Sequence, residues 1–419
     1  MPTRSGPAPT VLFLGEEIPP CPGGVAQWGS WMARQLSRRG LRVVYAARRD
    51  FMHDGPEFYR DGYTAHPIES ARWKQRKELH ILKALAECRR LYRPRAVIAL
   101  NCKVARVPLL MRPWAGWKVA IAAHGMEITK NGHRPRRQTG LRWAFGSADL
   151  AVAVSRFTRD RILDAGVAPD QVRVIPCGVS PELFRPRDVA AARRRFGFGT
   201  RPVVLTLARL VSRKGHDLVI RALPDLRRRV PDLLYVVAGP HNPPYEERLR
   251  ALAREQGVED TVRFLGYVEE AALPDLYAAA DVYAMPSRHD TAGGNFEGFG
   301  ISYLEANACG VPVVGADTGG VADAIVDGAT GYLVPPEDVP ALTDRLLRLL
   351  ADPAAARRMG ETGRNRVLAS FTWERIAAQF LAALEEKTGP LARPSPAGWP
   401  VAAMSDTLHR DAPPAASSR

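Results

Sequence analysis

Short runs of β-branched and small apolar residues alternate with longer amphipathic runs along this chain, and the whole alternation occurs twice. In the first half the strand candidates are 11–14 (VLFL), 42–46 (RVVYA), 96–100 (AVIAL), 119–123 (VAIAA), 150–154 (LAVAV) and 172–175 (VRVI). In the second half they are 203–207 (VVLTL), 234–238 (LYVVA), 262–265 (VRFL), 282–285 (VYAM), 312–315 (PVVG) and 331–334 (GYLV). Apolar runs of this length belong to strands buried on both faces, which is what a parallel sheet covered by helices requires. Two such series predict an α/β protein built from two Rossmann-like, doubly wound parallel-sheet domains that face a central cleft. The length of 419 residues, nearly half of them apolar, agrees with two cores rather than one.

The seam between the halves falls in VIPCGVSPELFRPRD, where Pro176, Gly178, Pro181 and Pro186 interrupt both periodicities. A linker is expected near 178–200, with one domain over 1–185 and the other over 186–370. From residue 388 to 419 the chain is rich in Pro, Ala and Ser and almost without periodic apolar positions, so a disordered tail is expected there.

Ligands of doubly wound sheets bind at the carboxyl ends of strands, where helix N-termini point. The informative residues should therefore follow strands. After the first strand, Gly23 and Gly24 precede a helix; such a loop either brings backbone N–H groups to a phosphate or is a plain turn. After 119–123 come His124 and Glu127 in AAHGMEI, and a histidine there either bonds a sugar hydroxyl, carries a proton or serves the fold.

After 203–207, Arg209 and Lys214 stand five residues apart before a helix that starts near His216. Two cations at a positive helix end suit a diphosphate, although a solvated basic loop would read the same way. After 282–285 comes a loop and then GNFEGFGISYLEANACG, with a helix expected over 301–309 and Gly310 as its C-terminal glycine. Over eight helical residues Glu297 and Glu305 would be separated by about 12 Å, far enough to address two portions of one elongated ligand. A diol such as ribose suits a carboxylate that can accept from both hydroxyls. Gly298 and Gly300 should leave the amides around Phe299 uncovered.

Composition excludes several other classes. The net charge of +15 rests on 59 basic residues, of which only eight are Lys, an imbalance that compositional bias explains without invoking nucleic acid. The five cysteines Cys21, Cys88, Cys102, Cys177 and Cys309 contain no C-x-x-C pair, so neither a zinc site nor a disulfide framework is indicated and a reducing compartment fits. No apolar run approaches a bilayer span, and TVLFLG is too short for a signal-peptide core. A cytoplasmic protein, peripheral to a membrane at most, is expected.

The segments PPCPGGVAQ, HGMEI, ARLVSRKG, EGFGISYLE (an E-x7-E pattern) and ANACGVPVVGADTGGVADAIVDGATGYLVPP occur in this order. Together they resemble the retaining glycosyltransferases of the GT-B fold, specifically glycosyltransferase family 4, over nearly the whole chain up to about residue 386. The resemblance implies that Glu305 binds the ribose of a nucleoside diphosphate sugar, the co-substrate, with no further cofactor. It implies that Glu297 meets the transferred hexose and that Gly298, Phe299 and Gly300 assist through their amides. Arg209 and Lys214 are implied to bind the diphosphate, His124 to lie near the transferred sugar, and Gly23 and Gly24 to close on the phosphate from the other domain. It also implies that a helix over about 371–387 (FTWERIAAQFLAALEEK) crosses back onto the first domain.

The chemistry follows from those parts. Negative charge builds on the departing diphosphate, so fixed cations should contribute most. The sequence holds no Asp-x-Asp, the usual device for Mg²⁺ on a nucleotide sugar, so metal-independent transfer is expected. The acceptor, a glycan, glycolipid or small hydroxylated molecule, falls to the first domain. There Arg72, Lys74, Arg76, Lys77, Lys83, Arg89 and Arg90 surround a stripe of Leu79, Leu82, Leu85 and Ala86, which either docks on anionic lipid or covers the sheet. Trp114 and Trp117 would be either an interfacial anchor or a buried pair. A nucleotide-sugar epimerase and a catalytically silent nucleotide-sugar-binding protein remain the alternatives.

Overall fold

A computed structural model describes residues 8–19, 23–52, 62–125, 128, 135–289 and 296–391. The first unit contains β1 (Thr10–Leu14), α1 (Gly24–Arg38), β2 (Arg42–Arg48), β3 (Tyr63–Ile68), α2 (Trp73–Tyr92), β4 (Ala96–Ala99) and α3 (Arg106–Ala115). It continues with β5 (Lys118–Ala123), α4 (Pro135–Ser147), β6 (Leu150–Ala153), α5 (Arg156–Asp164) and β7 (Val172–Val174). After α6 (Val189–Phe196) the second unit runs β8 (Val203–Leu207), α7 (His216–Arg229), β9 (Leu234–Ala238), α8 (Pro243–Glu255), β10 (Val262–Gly266), α9 (Leu273–Ala278) and β11 (Val282–Met285). Then follow α10 (Ile301–Ala308), β12 (Val313–Ala316), α11 (Val321–Ala324), β13 (Gly331–Val334), α12 (Val339–Ala351), α13 (Pro353–Ser370) and α14 (Trp373–Thr388).

Seven strands form one sheet in the order β3-β2-β1-β4-β5-β6-β7, and six form the other in the order β10-β9-β8-β11-β12-β13. Every strand pair is parallel. In both sheets the order reverses beside the first strand of the unit, which opens a crevice at the carboxyl ends of the strands. This is the GT-B architecture.

Three apolar cores hold it together. One fills the outer face of the first sheet with Leu12, Val97, Ile121 and Trp117, and one fills the outer face of the second with Val204, Leu223, Val237 and Leu346. The third is continuous across both units, from Phe13 and Trp28 through Phe380 and Trp373 to Phe299, Tyr303 and Met285. Helix α14 carries this continuity. It leaves the second unit at Thr372, whose hydroxyl caps it by accepting from the Arg375 amide. It then packs on α1, with Trp373 stacked on Trp31 at 6.2 Å and Phe380 edge-on to Trp28 at 5.8 Å.

The described chain continues past residue 387. Thr388 ends α14, Arg95 donates to the Thr388 and Pro390 carbonyls, and Leu391 is buried. Of the tail expected over 388–419, residues 388–391 are thus tied to the first unit through Arg95. Residues 392–419 lie outside the described part. The Pro-rich linker also contains structure that its prolines conceal, since Asp188 caps α6 by accepting from the Ala190 and Ala191 amides.

One strand escapes the sequence pattern. β3 is an edge strand with alternating burial and the unpromising residues YTAHPI, where one face meets solvent and proline is tolerated. Of the apolar stripe noted on α2, only Leu85 is buried. The face against the sheet is Trp73, His80, Ile81, Ala84, Leu85 and Cys88, whereas Leu79, Leu82 and Ala86 point outward. Trp117 is buried and donates its indole N–H to the Pro108 carbonyl at 3.0 Å, while Trp114 is exposed, so the two tryptophans do not form a pair. Cys88, Cys177 and Cys309 are buried free thiols and Cys102 is buried; Cys21 lies outside the described residues.

Candidate active site

The site is built where the carboxyl ends of the two sheets face each other. The loop after β8 is a tight turn over Ser212–Lys214 that feeds α7 through Gly215. His216 lies under it, fully buried, with Nε2 3.2 Å from the Arg209 carbonyl oxygen. This ties the base of the loop to its start. Burial lowers the His216 pKa to about 4, so the ring is neutral at pH 7.

Across from this loop, Glu297 precedes α10 rather than lying on it, because Gly300 takes a left-handed φ of 91° and is the N-cap. The helical projection between the two glutamates therefore covers only the last part of their separation. Glu297 Oε2 accepts from Lys214 Nζ at 2.5 Å and from Arg213 Nη1 at 3.0 Å, with all three side chains nearly buried. Burial alone would raise the Glu297 pKa; the two cations outweigh it and hold the carboxyl below its ordinary value. Burial likewise pulls Lys214 down, and the Glu297 charge partly restores it. Arg209 is exposed nearby and adds to the positive field on Lys214.

An ion pair between residues 83 positions apart joins the segment before α10 to the loop after β8. Arg213 is the cation that sequence reading passed over. Its signal was only its place beside Lys214 in a basic run.

Glu305 sits on α10, buried, and accepts a hydrogen bond from the Tyr277 hydroxyl at 2.8 Å. It opens onto a narrow cleft whose walls include Gln27 and Trp31 of α1, Phe184, Ile301 and Trp373. Burial raises its pKa to about 7, against the Tyr277 hydrogen bond and with help from the Glu270 charge.

The first unit supplies the opposite wall. A Cβ placed on Gly24 would lie 3.8 Å from Ile301 Cδ1, so the glycine loop faces the mouth of α10. A Cβ on Gly298 would lie 2.3 Å from the His124 carbonyl oxygen, a contact only glycine permits. Gly24, His124 and Gly298 thus lie around the start of α10, with Gly23 beside Glu17. The His124 ring stands edge-on to Trp28 at 5.5 Å, and burial lowers its pKa to about 4. At neutral pH it is an uncharged imidazole, suited to a hydrogen bond and not to a cationic role. Glu127 lies outside the described residues.

Phe299 is buried with its ring 6.1 Å from Phe371, so its side chain anchors the segment in the core. The cleft is bridged below these residues. The Arg156 amide and guanidinium donate to Asp323 and Phe157 packs on Phe296 at 4.6 Å, while within the second unit the Gly320 amide donates to the Glu297 carbonyl at 2.8 Å. None of these bridges was visible in the sequence, since each joins residues far apart in the chain.

Comparison with known proteins agrees with this geometry. The model of the family described as Glycosyltransferase Family 4 matches residues 22–183, and that of Glycosyl transferases group 1 matches residues 188–366. A GDP-mannose-dependent alpha-(1-6)-phosphatidylinositol monomannoside mannosyltransferase of Mycolicibacterium smegmatis is 36% identical over 387 residues, 88% of this chain and 97% of that protein. A D-inositol 3-phosphate glycosyltransferase of Kribbella flavida is 37% identical over 267 residues, 62% of this chain and 61% of that protein. Among solved structures, sucrose-phosphate synthase from Thermosynechococcus elongatus superposes with a TM-score of 0.77 at 24% identity, covering 90% of this chain and 98% of the other, a likeness of fold. By its near full-length kinship and its paired parallel sheets, the chain belongs to glycosyltransferase family 4 and is a glycosyltransferase of the GT-B fold.

Proposed function

We propose that the chain transfers mannose from GDP-mannose to a hydroxyl of a phosphatidylinositol-based glycolipid, with retention of configuration and without a metal ion. The observation that carries the reading is the 36% identity along 97% of a relative named for that donor and acceptor class. The site's chemistry supports it. Breaking the anomeric C–O bond leaves negative charge on the diphosphate, where Arg209, Lys214 and the N-terminus of α7 offer fixed positive charge. Arg213 and Lys214 also orient Glu297, which is assigned to the hexose hydroxyls. Glu305 is assigned to the ribose, and the amides of Gly298, Phe299 and Gly300 to sugar and phosphate.

His124, neutral, is assigned a hydrogen bond to the transferred sugar, and Gly23 and Gly24 a contact with phosphate from the first unit. Retention is explained by same-face attack in which the leaving phosphate oxygen takes the acceptor's proton. What supports metal independence is the lack of Asp-x-Asp in the sequence.

A lipid acceptor calls for contact with a membrane surface. Among the described residues no helix is long and apolar enough to cross one. Peripheral docking is supported by the outer face of α2 and α3, where Leu79, Leu82, Leu110 and Trp114 are exposed among basic residues. Arg89 donates to the Trp114 carbonyl at 2.7 Å and joins the two helices. The free thiols Cys88, Cys177 and Cys309 agree with a cytoplasmic face.

The test is incubation of the purified chain with GDP-mannose and either phosphatidylinositol mannoside in mixed micelles or inositol 3-phosphate, with and without EDTA. The expected result is an α-mannosylated lipid by mass spectrometry and NMR, formed equally in EDTA. Transfer to inositol 3-phosphate alone would overturn the acceptor assignment; loss of activity in EDTA would overturn metal independence.

A further inference from the structure

We propose that Tyr277 is a positioning residue of the nucleotide site: its hydroxyl holds the Glu305 carboxylate in the orientation and charge state that the ribose diol requires. The inference rests on the reading of Glu305 as the ribose ligand and deepens it. Tyr277 stands on α9, fully buried between Phe184 at 6.0 Å and Tyr283 at 5.7 Å. This packing fixes the ring, and the hydroxyl donates to Glu305 Oε2 at 2.8 Å. Among the described residues it is the one hydrogen-bond donor to that carboxylate. Tyr277 is not among the residues that line the cleft, whereas Glu305 is. Tyrosine therefore acts on a ligand only through the glutamate.

The physical need for such a partner is clear from the surroundings. A carboxylate has about four lone-pair positions, and a vicinal diol uses two of them. A buried carboxylate free to rotate would present those positions in many orientations, and each hydrogen bond to a charged group counts for more than one between neutral groups. The groups facing Glu305 are Tyr277 on α9, Glu270 just before it, Tyr283 on β11 and Cys309 at the end of its own helix. Burial and Glu270 favour the protonated acid, and Tyr277 favours the anion. Removing the hydroxyl therefore both loosens the carboxylate and lets it take up a proton at higher pH.

Tyr277→Phe keeps the ring and its packing, and it tests the assignment with GDP and 2′,3′-dideoxy-GDP titrated by calorimetry between pH 6 and 9. The expected result is GDP affinity lowered about fivefold to twentyfold at pH 7, on the scale of a single hydrogen bond, with dideoxy-GDP affinity unchanged. The pH below which GDP affinity falls should also move upward in the variant, and donor KM should rise while kcat holds within about twofold. A double variant with Glu305→Gln should lose no more than Glu305→Gln alone. Equal losses for GDP and dideoxy-GDP, or no loss in Tyr277→Phe beside a clear loss in Glu305→Gln, would overturn the positioning role. Wild-type affinity for GDP in Glu305→Gln would instead overturn the ribose reading beneath it.

Discussion

Glu297 and Glu305 stand eight residues apart, share burial and share a motif, yet the fold treats them in opposite ways. Glu297 is clamped by Lys214 and Arg213, which hold its carboxyl below its ordinary value. Glu305 has a neutral tyrosine for a partner and is pushed up to about 7. The difference teaches where charge is meant to be fixed and where it is left responsive. At the end of the site assigned to the leaving diphosphate, cations and anion are locked together before any ligand arrives. At the ribose end, desolvation sets the energetics and one hydrogen bond tips them.

The largest expected effect comes from breaking the charged half. Lys214→Ala removes one of the cations that face the departing charge and leaves Glu297 with Arg213 alone; kcat should fall about 100-fold to 1000-fold, the scale of one lost electrostatic stabiliser. Steady-state kinetics that show a rise in donor KM with kcat intact would place Lys214 in ground-state binding instead.

Breaking the other half should read out differently. Glu305→Ala should raise donor KM by about 10-fold to 100-fold, equivalent to about 1.5 to 3 kcal/mol for hydrogen bonds to a charged group, with kcat little changed. Unaltered nucleotide affinity would remove Glu305 from the ribose.

The contrast also predicts a pH dependence. A Glu305 pKa raised to about 7 makes the residue a carboxylate at pH 8 and mostly a carboxylic acid at pH 6. The acid has lost acceptor capacity, so wild-type donor KM should rise as pH falls through about 7, by at most about tenfold per unit. Glu297, shifted the opposite way, stays ionised across that range and contributes no such slope. A donor KM flat from pH 8 to pH 6 would refute the assigned difference.

The smallest effect concerns the face of α2 and α3. Leu110→Ser with Trp114→Ala removes two exposed apolar side chains; co-sedimentation with anionic liposomes should weaken several-fold, while activity on a detergent-dispersed acceptor stays the same. Equal liposome binding by the variant would return this face to an ordinary solvated surface.

Much of the fold was legible because buried parallel strands write themselves as continuous apolar runs, as in VVLTL and LAVAV. β3 was not, because an edge strand buries one face only and its residues YTAHPI match no strong pattern. On α2 the letters left two readings open, since leucines occur on both its faces and only packing tells which one meets the sheet. The candidate site was legible as a set of residues, through Arg209, Lys214, His124, Glu297, Glu305 and the glycines, but not as a set of contacts. Arg213 on Glu297, Tyr277 on Glu305 and Arg156 on Asp323 join residues 84, 28 and 167 positions apart.

By itself the sequence determined what is local: the buried strands and most helices, where glycines permit close approach, and which charged side chains stand at strand ends. Periodicity and backbone sterics act over a few residues and leave their trace in the order of letters. Tertiary structure alone decided which cation meets which carboxylate, and that Glu305 is buried deeply enough to titrate near neutrality. Those outcomes depend on distance and dielectric between elements far apart in the chain, and no local pattern encodes them.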